Sequence, residues 1–332
     1  MIVVQAPAKL NLTLEIVGRR EDGYHLLESV MQSIDLCDYV TLSFAEGQGV
    51  PAAGGAPGAQ VRLIGNGVRA DGVPLDENNL ASRAVQRLRE AVAAGRFART
   101  KGVGLGAGRE LAPLAIQIDK RIPVAAGLAG GSANAAAALI GANELWQLGL
   151  SQEELARLGA ELGADVPFCV LGGTAVARGI GEQLEPIPGV PPLAVVVATP
   201  NVRVATADVY ARYDEWFGPR AWDPGAARSR TEAMAAALHR GDVTAVAALL
   251  FNALEPVTTR LHPEVAELKE AVLRAGAVGA AMCGSGPSVF GLARDDEHAR
   301  RLAERLARPG LFVAACRFAG GGRRILEKER RT

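Results

Sequence analysis

Hydrophobic and polar residues alternate in some segments of the chain and recur with helical spacing in others, which predicts a mixture of strands and helices. The first segment, 2–17, alternates in places and predicts two strands interrupted near Pro7. Segment 38–44 predicts another strand, and 80–94 predicts a helix with apolar residues on one face. A cleanly alternating strand at 114–120 then leads through a glycine-rich loop into a helix predicted at 132–148.

The second half of the chain carries the same mixture. Helices are predicted at 151–162, 206–217, 230–250, 263–275 and 297–307. Strands are predicted at 168–171, 174–178, 193–198, 278–282, 289–293 and 311–318. Because strands and helices do not alternate strictly, the predicted fold class is α+β in two domains. The predicted domains are 1–160 and 161–332, with the last strand able to return to the first domain.

The glycine-rich segment 123–133 has the composition of a phosphate-binding loop. Glycines let backbone N–H groups approach charged oxygens closely, and the following helix offers the positive end of its dipole. Ser132 could cap that helix or contact a phosphate oxygen or a bound cation. The chain contains neither the GK[ST] of a P-loop nor the GxGxxG of a dinucleotide-binding fold. The alternative is a turn that merely joins strand to helix.

Several polar side chains stand out from their surroundings. Lys9 and Asn11 lie two residues apart on one face of an apolar strand, where their burial needs partners. Asp165 follows a predicted helix end and could take a proton from a substrate hydroxyl, with a lysine keeping it ionised. Tyr24 and His25 lie beside a turn, where aromatic rings could stack on a base. The plainer interpretations are a solvated strand face, a helix cap, and a core tyrosine next to a surface histidine.

Composition narrows the class of protein. The 332 residues carry 36 basic and 36 acidic side chains, so a nucleic-acid partner held by a general positive field is not expected. No apolar run reaches the roughly 20 residues of a membrane-spanning helix, and the N-terminus does not have the pattern of a signal peptide. The four cysteines form no CxxC pair, which favours buried thiols in a reducing compartment. We therefore expect a cytoplasmic protein with no membrane or nucleic-acid partner, as a monomer or weak homodimer.

Three motifs taken together are more specific than any one of them. The chain contains, in order, APAKLNLTLEI (6–16), PVAAGLAGGSANAAAAL (123–139) and GSGPSVFG (284–291). In sequence and order they resemble the three motifs of GHMP kinases, which include galactokinase, homoserine kinase and mevalonate kinase. Blocks 18–36, 76–84 and 162–187 resemble the member family that phosphorylates a cytidine diphosphate methylerythritol substrate in the non-mevalonate isoprenoid pathway. This resemblance covers nearly the whole chain.

The resemblance implies an N-terminal ATP-binding domain, a smaller C-terminal substrate-binding domain, and an active site in the cleft between them. It implies transfer of the ATP γ-phosphate to the 2-hydroxyl of the methylerythritol unit, with Asp165 matching the family's base and Lys9 its partner. Asn79 and Lys120 match positions near the adenine. Residues that match the ATP phosphate loop are Pro123, Val124, Ala125, Ala126, Gly127, Leu128, Ala129, Gly130, Gly131, Ser132 and Ala133. Residues that match contacts to the cytidine nucleotide are Asn11, Tyr24, His25 and Tyr210, the last closing over the cytosine.

The phosphate loop departs from the family pattern at a few positions. Ala126 and Ala129 stand where many relatives have glycine, and Ala133 replaces a frequent second serine. No carboxylate stands out as a Mg²⁺ ligand, so we expect ATP itself to carry most of the metal's coordination. Two alternatives stay open at this point. One is another GHMP enzyme, such as a mevalonate-type or sugar kinase or a related decarboxylase. The other is a non-catalytic nucleotide-binding relative.

Overall fold

The computed structural model describes residues 1–45, 60–65, 72–97, 111–218, 222–321 and 324–328. Segments 47–60 and 96–110, whose sequences predict loops, fall outside these ranges apart from one or two end residues. The strands in the described ranges are β1 (Ile2–Arg19), β2 (His25–Phe44), β3 (Gln60–Gly65), β4 (Leu114–Lys120), β5 (Thr174–Gly179), β6 (Gln183–Pro186), β7 (Ala194–Pro200), β8 (Phe251–Asn252), β9 (Gly279–Met282), β10 (Val289–Leu292), β11 (Leu311–Arg317) and β12 (Ile325–Lys328). The helices are α1 (Leu80–Ala93), α2 (Gly130–Leu145), α3 (Gln152–Ala160), α4 (Val166–Leu171), α5 (Thr206–Trp216), α6 (Pro224–Arg240), α7 (Val243–Leu249), α8 (Glu255–Leu261), α9 (Pro263–Arg274) and α10 (Asp296–Leu306).

Two sheets organise the chain, and their mixture with helices confirms the predicted α+β class. The first sheet has the order β12-β1-β2-β4-β3, with β5 and β8 pairing beside β2 and β1, and β6 pairing with β5. The second sheet has the order β11-β7-β10-β9, and all of its pairs are antiparallel. None of the helices in the described ranges is long and apolar enough to cross a membrane.

The first strand is continuous, so the prediction of two strands broken near Pro7 was wrong. β1 pairs antiparallel with β2 from Ile2 to Arg19, and the register shifts between Pro7 and Lys9. A bulge absorbs the missing proline N–H at that point without ending the strand. The opposite edge of β2 pairs with β5 in its first half and with β4 in its second half.

Helix α2 packs directly on the first sheet because its residues are small. Its buried residues include Ala135, Ala136, Ala137 and Ala138. At Gly141 an added Cβ would lie 2.4 Å from the Leu42 Cδ1 atom, so a larger residue would have to displace this buried side chain. This close packing fixes the position of the N-terminus of α2 relative to the sheet, at the end of the predicted phosphate loop.

Some element assignments from the sequence were wrong in type. The strand predicted at 168–171 is helix α4, because a short apolar run does not distinguish a buried strand from a buried helix. The helix predicted at 230–250 is two helices, α6 and α7, separated at Gly241 with a φ of 64°. The returning strand β12, which pairs with β1, was not predicted, and the strand predicted at 311–318 is β11 of the second sheet.

The first three elements after residue 160, which are α4, β5 and β6, belong with the first sheet. Helix α4 packs against α2 and α3, and β5 and β6 extend the sheet from β2. The chain passes to the second sheet in the proline-rich segment between β6 and β7. The division into domains at 1–160 and 161–332 stays a prediction, but the structure shows which elements carry each sheet.

Candidate active site

A cleft of about 1260 Å³ is lined by elements of both sheets. β1, β2, the loop before α2, the residue before α4, helix α5 and the turn after β9 all contribute side chains or backbone to it. The predicted site residues line this cleft, with the exception of Leu128 and Ala133. Those two are buried behind the loop, where Leu128 accepts a hydrogen bond from the Lys9 backbone N–H through its carbonyl oxygen.

Lys9 and Asp165 meet in this cleft. The Lys9 Nζ atom lies 3.5 Å from the Asp165 Oδ2 atom. Lys9 is only 5% exposed, and its Nζ also donates a hydrogen bond of 2.7 Å to the Asn11 Oδ1 atom. The Asn11 amide donates in turn to the Ser29 hydroxyl, so one chain of hydrogen bonds orients the lysine. The solvated-face interpretation of Lys9 and Asn11 is therefore wrong.

Asp165 lies directly before helix α4 but does not cap it. Its side chain makes no capping hydrogen bond to that helix. The side chain keeps 35% of its surface exposed, so the carboxylate faces both Lys9 and the open cleft. A carboxylate held beside an ammonium group and open to the cleft can accept a proton from a substrate hydroxyl.

The N-terminus of α2, which directly follows the phosphate loop, lines the cleft. Helix α2 begins at Gly130 after Ala129, which has a left-handed φ of 55° and no side-chain cap. Ser132 lies inside the first turn, so the capping role considered for it is wrong. A helix start without a side-chain cap, open to a cleft, presents its N–H groups and the positive end of its dipole to an anion.

Gly127 packs against the turn after β9 so closely that a side chain would not fit. An added Cβ at Gly127 would lie 2.0 Å from the Cys283 carbonyl oxygen, and its φ is 75°. The turn after β9 also places Gly284 close to Lys9, since a Cβ there would lie 3.5 Å from the lysine Nζ. The turn is therefore both the β9–β10 connection and a wall that positions the phosphate loop and Lys9.

Asp38 fixes the start of the phosphate loop, a role that the sequence did not reveal. This fully buried carboxylate accepts hydrogen bonds of 2.6 Å from Lys120 Nζ and 2.8 Å from Asn134 Nδ2. Its other oxygen accepts from the backbone N–H groups of Arg121 and Ile122, at 2.7 and 2.8 Å. Burial lowers the pKa of Lys120, and the charge of Asp38 opposes that shift. Lys120 therefore helps Asp38 to hold the start of the phosphate loop in place, and it also lines the cleft.

Asn79 also combines a structural position with a place in the cleft wall. It is the N-cap of α1, where its Oδ1 accepts from the Ala81 N–H at 2.9 Å, and its Nδ2 donates to the Pro74 carbonyl. The residue is buried on the side of the cleft that also holds Gly131, since a Cβ on that glycine would lie 3.3 Å from Leu80. Its predicted place near the adenine stays a prediction.

Aromatic residues form a second group in the cleft. The rings of His25 and Tyr210 stack with centroids 4.8 Å apart, and Tyr213 meets His25 edge-on. Tyr24 is 60% exposed, which leaves its ring free for a partner. Burial raises the pKa of the Tyr210 hydroxyl, and the negative charge of Asp165 adds to the shift. The aromatic group and the carboxylate therefore belong to one site.

Asp214 was missed from the sequence although a local signal existed. Its Oδ1 atom lies 2.6 Å from His25 Nε2, and its Oδ2 lies 3.1 Å from Arg19. Asp214 follows Tyr210 by four residues on α5, a spacing that puts both side chains on one helix face. Asp38 gave no such signal, because its four partners come from distant segments that only the folded sheet brings together.

Comparison with known protein families shows the class of enzyme to which this chain belongs. The model for the GHMP kinases N terminal domain matches residues 79–173, and the model for the GHMP kinases C terminal region matches residues 234–310. The matched regions contain the phosphate loop, Asp165 and the turn after β9, which are the features that meet in the cleft. This chain is an enzyme of the GHMP kinase class, with ATP as co-substrate.

Individual relatives narrow the class to one family. The 4-diphosphocytidyl-2-C-methyl-D-erythritol kinase of Shouchella clausii (strain KSM-K16) is 46% identical over 90% of this chain and 88% of its own. The enzyme of that name from Gloeobacter violaceus is 42% identical over 98% of this chain and 97% of its own. A crystal structure of 4-(cytidine 5'-diphospho)-2C-methyl-D-erythritol kinase matches with a TM-score of 0.70 and 34% identity, covering 96% of this chain and 100% of that one. The chain belongs to the 4-diphosphocytidyl-2-C-methyl-D-erythritol kinase family, which confirms the resemblance seen in its motifs.

Proposed function

We propose that this enzyme transfers the γ-phosphoryl group of ATP to the 2-hydroxyl of 4-(cytidine 5'-diphospho)-2-C-methyl-D-erythritol, giving the 2-phosphate and ADP. The observation that carries the proposal is the 3.5 Å pair of Lys9 and Asp165, which lies in the same cleft as the phosphate loop and the aromatic group. The phosphate loop suits a triphosphate, and the aromatic group suits a planar base. Lys9 and Asp165 line the same cleft as the loop and the aromatic group.

Asp165 is the proposed general base. Its carboxylate accepts the proton of the attacking 2-hydroxyl as the bond from that oxygen to the γ-phosphorus forms, while the bond from the γ-phosphorus to the β,γ-bridging oxygen breaks and ADP leaves. Lys9 lies 3.5 Å from the carboxylate and orients it, and its ammonium group offsets negative charge that builds up on the transferring phosphoryl group. Asn11 and Ser29 hold Lys9 in place through the hydrogen bonds described above. The proton leaves through Asp165, which is open to the cleft.

The phosphate loop supplies positioning. Phosphoryl transfer demands alignment and charge neutralisation more than covalent chemistry from the protein. Backbone N–H groups at the start of α2 face the negative oxygens of ATP, and the helix dipole favours them. Gly127 and Asp38 fix this backbone from two sides, one by close contact and the other by four hydrogen bonds.

Mg²⁺ is the metal that we propose to accompany ATP. The described residues contain no group of three or more histidine, cysteine or carboxylate side chains able to hold a metal alone. The cleft instead fits an ion that the phosphates of ATP would mainly hold, with the Ser132 hydroxyl as an oxygen donor from the protein. When bound, Mg²⁺ neutralises charge on the phosphates.

The aromatic group is the proposed site for the cytosine. Tyr24 presents an exposed ring, and His25 and Tyr210 form a stacked pair beside it. Stacking of a base on an aromatic ring contributes about 1–3 kcal/mol. Mevalonate and simple sugars have no base to stack, so this group favours a nucleotide substrate over theirs. We also propose a cytoplasmic location, which the four free and buried cysteines support.

The proposed substrate is tested by a coupled ADP-release assay on a panel of alcohols. We expect ADP release with 4-(cytidine 5'-diphospho)-2-C-methyl-D-erythritol and none above background with mevalonate, galactose or homoserine. Release with one of those three, and none with the cytidine compound, would identify a different GHMP kinase. Binding of ATP with no release on any acceptor would favour the non-catalytic alternative.

The proposed base is tested by Asp165→Asn. We expect kcat to fall by about 10²–10⁴-fold, the usual contribution of a general base, while both substrates still bind. The matched control is Asp242→Asn, which removes a carboxylate at the N-cap of α7, outside the residues that line the cleft. Asparagine caps helices as well as aspartate, so the control should keep wild-type kcat. A variant at residue 165 that keeps more than a tenth of wild-type kcat would exclude Asp165 as the base.

A further inference from the structure

Asp214 joins three elements beside the aromatic group in the cleft. Its side chain comes from α5, and it contacts His25 at the start of β2 and Arg19 at the end of β1. The His25 side chain is only 8% exposed and is held on one face by the Tyr210 ring. Arg19, His25, Tyr210 and Asp214 all line the cleft. Nothing in the proposed phosphoryl transfer uses Asp214.

The carboxylate constrains the proton of the imidazole. An ionised carboxylate only accepts hydrogen bonds, so at 2.6 Å the His25 Nε2 atom must be the donor. In a neutral imidazole the single proton is then on Nε2, and Nδ1 is left with a lone pair. The other oxygen of the carboxylate, Asp214 Oδ2, pairs with Arg19 at 3.1 Å. Within the described part of the chain, Nδ1 has no hydrogen-bond partner.

We propose that Asp214 is a positioning residue that holds His25 as the Nε2–H tautomer, so that Nδ1 accepts a hydrogen bond from the exocyclic amine of the substrate base. This inference rests on the proposed function, because it assumes a cytidine nucleotide beside the aromatic group in the cleft. Cytosine carries an amine where uracil carries a carbonyl oxygen. A lone pair on Nδ1 attracts the amine and repels the carbonyl, so the same geometry selects cytidine over uridine substrates.

The first test compares kcat/KM for the cytidine substrate with kcat/KM for its uridine counterpart. Sites built around a hydrogen bond to one functional group reject the wrong group by about 10²-fold or more, which is the ratio expected for the wild type. Asp214→Asn should lower this ratio at least about tenfold, because an amide both donates and accepts and no longer fixes one tautomer. The matched control is Asp208→Asn on the same helix, outside the cleft lining, which should leave the ratio unchanged.

The second test observes the imidazole itself. Nitrogen-15 NMR of the wild type, with His25 assigned among the four histidines by its loss in His25→Gln, should show a neutral ring protonated on Nε2 at the assay pH. In Asp214→Asn the two ring nitrogens should approach tautomer averaging. A doubly protonated ring, or a proton on Nδ1, would overturn the proposal, and so would an unchanged cytidine-to-uridine ratio in Asp214→Asn.

The outcomes separate this inference from the proposed function. Wild-type turnover of the cytidine substrate together with an unchanged ratio in Asp214→Asn rejects the role of Asp214 alone. Absence of wild-type turnover rejects the proposed function, and with it the assignment of cytosine to Nδ1. The NMR measurement on the wild type needs no turnover, so it decides the tautomer even when no acceptor is phosphorylated.

Discussion

Replacement of Asp38 by asparagine is a sharp test of how the phosphate loop is held. All four partners of this buried carboxylate are donors: Lys120, Asn134 and the backbone N–H groups of Arg121 and Ile122. An amide offers one oxygen, so its NH₂ group must face two of those donors. The change also leaves the buried Lys120 ammonium without its counter-charge.

The magnitude follows from the loss of one partner in a buried ion pair. Such a loss costs about 3–5 kcal/mol, because an uncompensated charge stays in the interior. We expect the melting temperature of Asp38→Asn to fall by roughly 5–15 °C, measured by scanning calorimetry. The KM for ATP should also rise, because the backbone at the start of the loop loses its anchor. Asp119→Asn, which removes a surface pair with Arg121, is the control and should cost at most about 1 kcal/mol.

A double variant separates the charge from the anchor. Asp38→Asn combined with Lys120→Met removes both buried charges, so no uncompensated ammonium group stays in the interior. The double variant should therefore melt above the single variant while its KM for ATP stays raised. If the single variant melts within 2 °C of wild type, or if the double variant is no more stable than the single, the role assigned to Asp38 is wrong.

Two further predictions concern the loop backbone and the thiols. Gly127→Ala should raise the KM for ATP at least about tenfold, since its Cβ would lie 2.0 Å from the Cys283 carbonyl oxygen. Ala129→Gly should leave the free energy of unfolding unchanged or raise it by up to about 1 kcal/mol. The reason is that relief of the left-handed strain at Ala129 exceeds the entropy cost of glycine. Steady-state kinetics and calorimetry check the pair, and equal effects of the two changes would contradict it. Burial raises the pKa of Cys37 to about 12, and the other three cysteines shift the same way, so the native enzyme should resist iodoacetamide at pH 8 and react fully only when unfolded. The unfolded thiols release protons near pH 8.5, so stability is complete below that pH and falls as pH rises toward 12; rapid labelling of the native enzyme would refute this assignment.

The sequence was most informative where structure and chemistry are local. The alternating strand predicted at 114–120 is found as β4, and the helix predicted at 151–162 is found as α3 (Gln152–Ala160). The glycine-rich loop was recognisable because phosphate binding needs small residues at adjacent positions. Even there, the start of α2 at Gly130 placed Ser132 inside the helix, which local pattern alone did not decide.

Features set by long-range contacts were beyond local pattern. Asp38 acts through residues 82 to 96 positions away, and Asp214 meets His25 across 189 positions. The need for glycine at 127 comes from the Cys283 carbonyl, which only the packing of the two sheets brings close. Helix α4 was mistaken for a strand because its apolar run of six residues has no periodicity long enough to separate the two.

The most direct measurement of the central claim is proton-coupled phosphorus-31 NMR of the product made from ATP and the cytidine substrate. The central claim is that the enzyme transfers the γ-phosphoryl group of ATP to the 2-hydroxyl of the cytidine substrate. The carbon that bears this hydroxyl also bears the methyl group and carries no hydrogen. Phosphorylation there gives a new phosphomonoester signal without splitting by a proton, and the diphosphate signals persist. A split phosphomonoester signal, or extension of the diphosphate to a triphosphate, would show that the phosphoryl group goes elsewhere and would contradict the account.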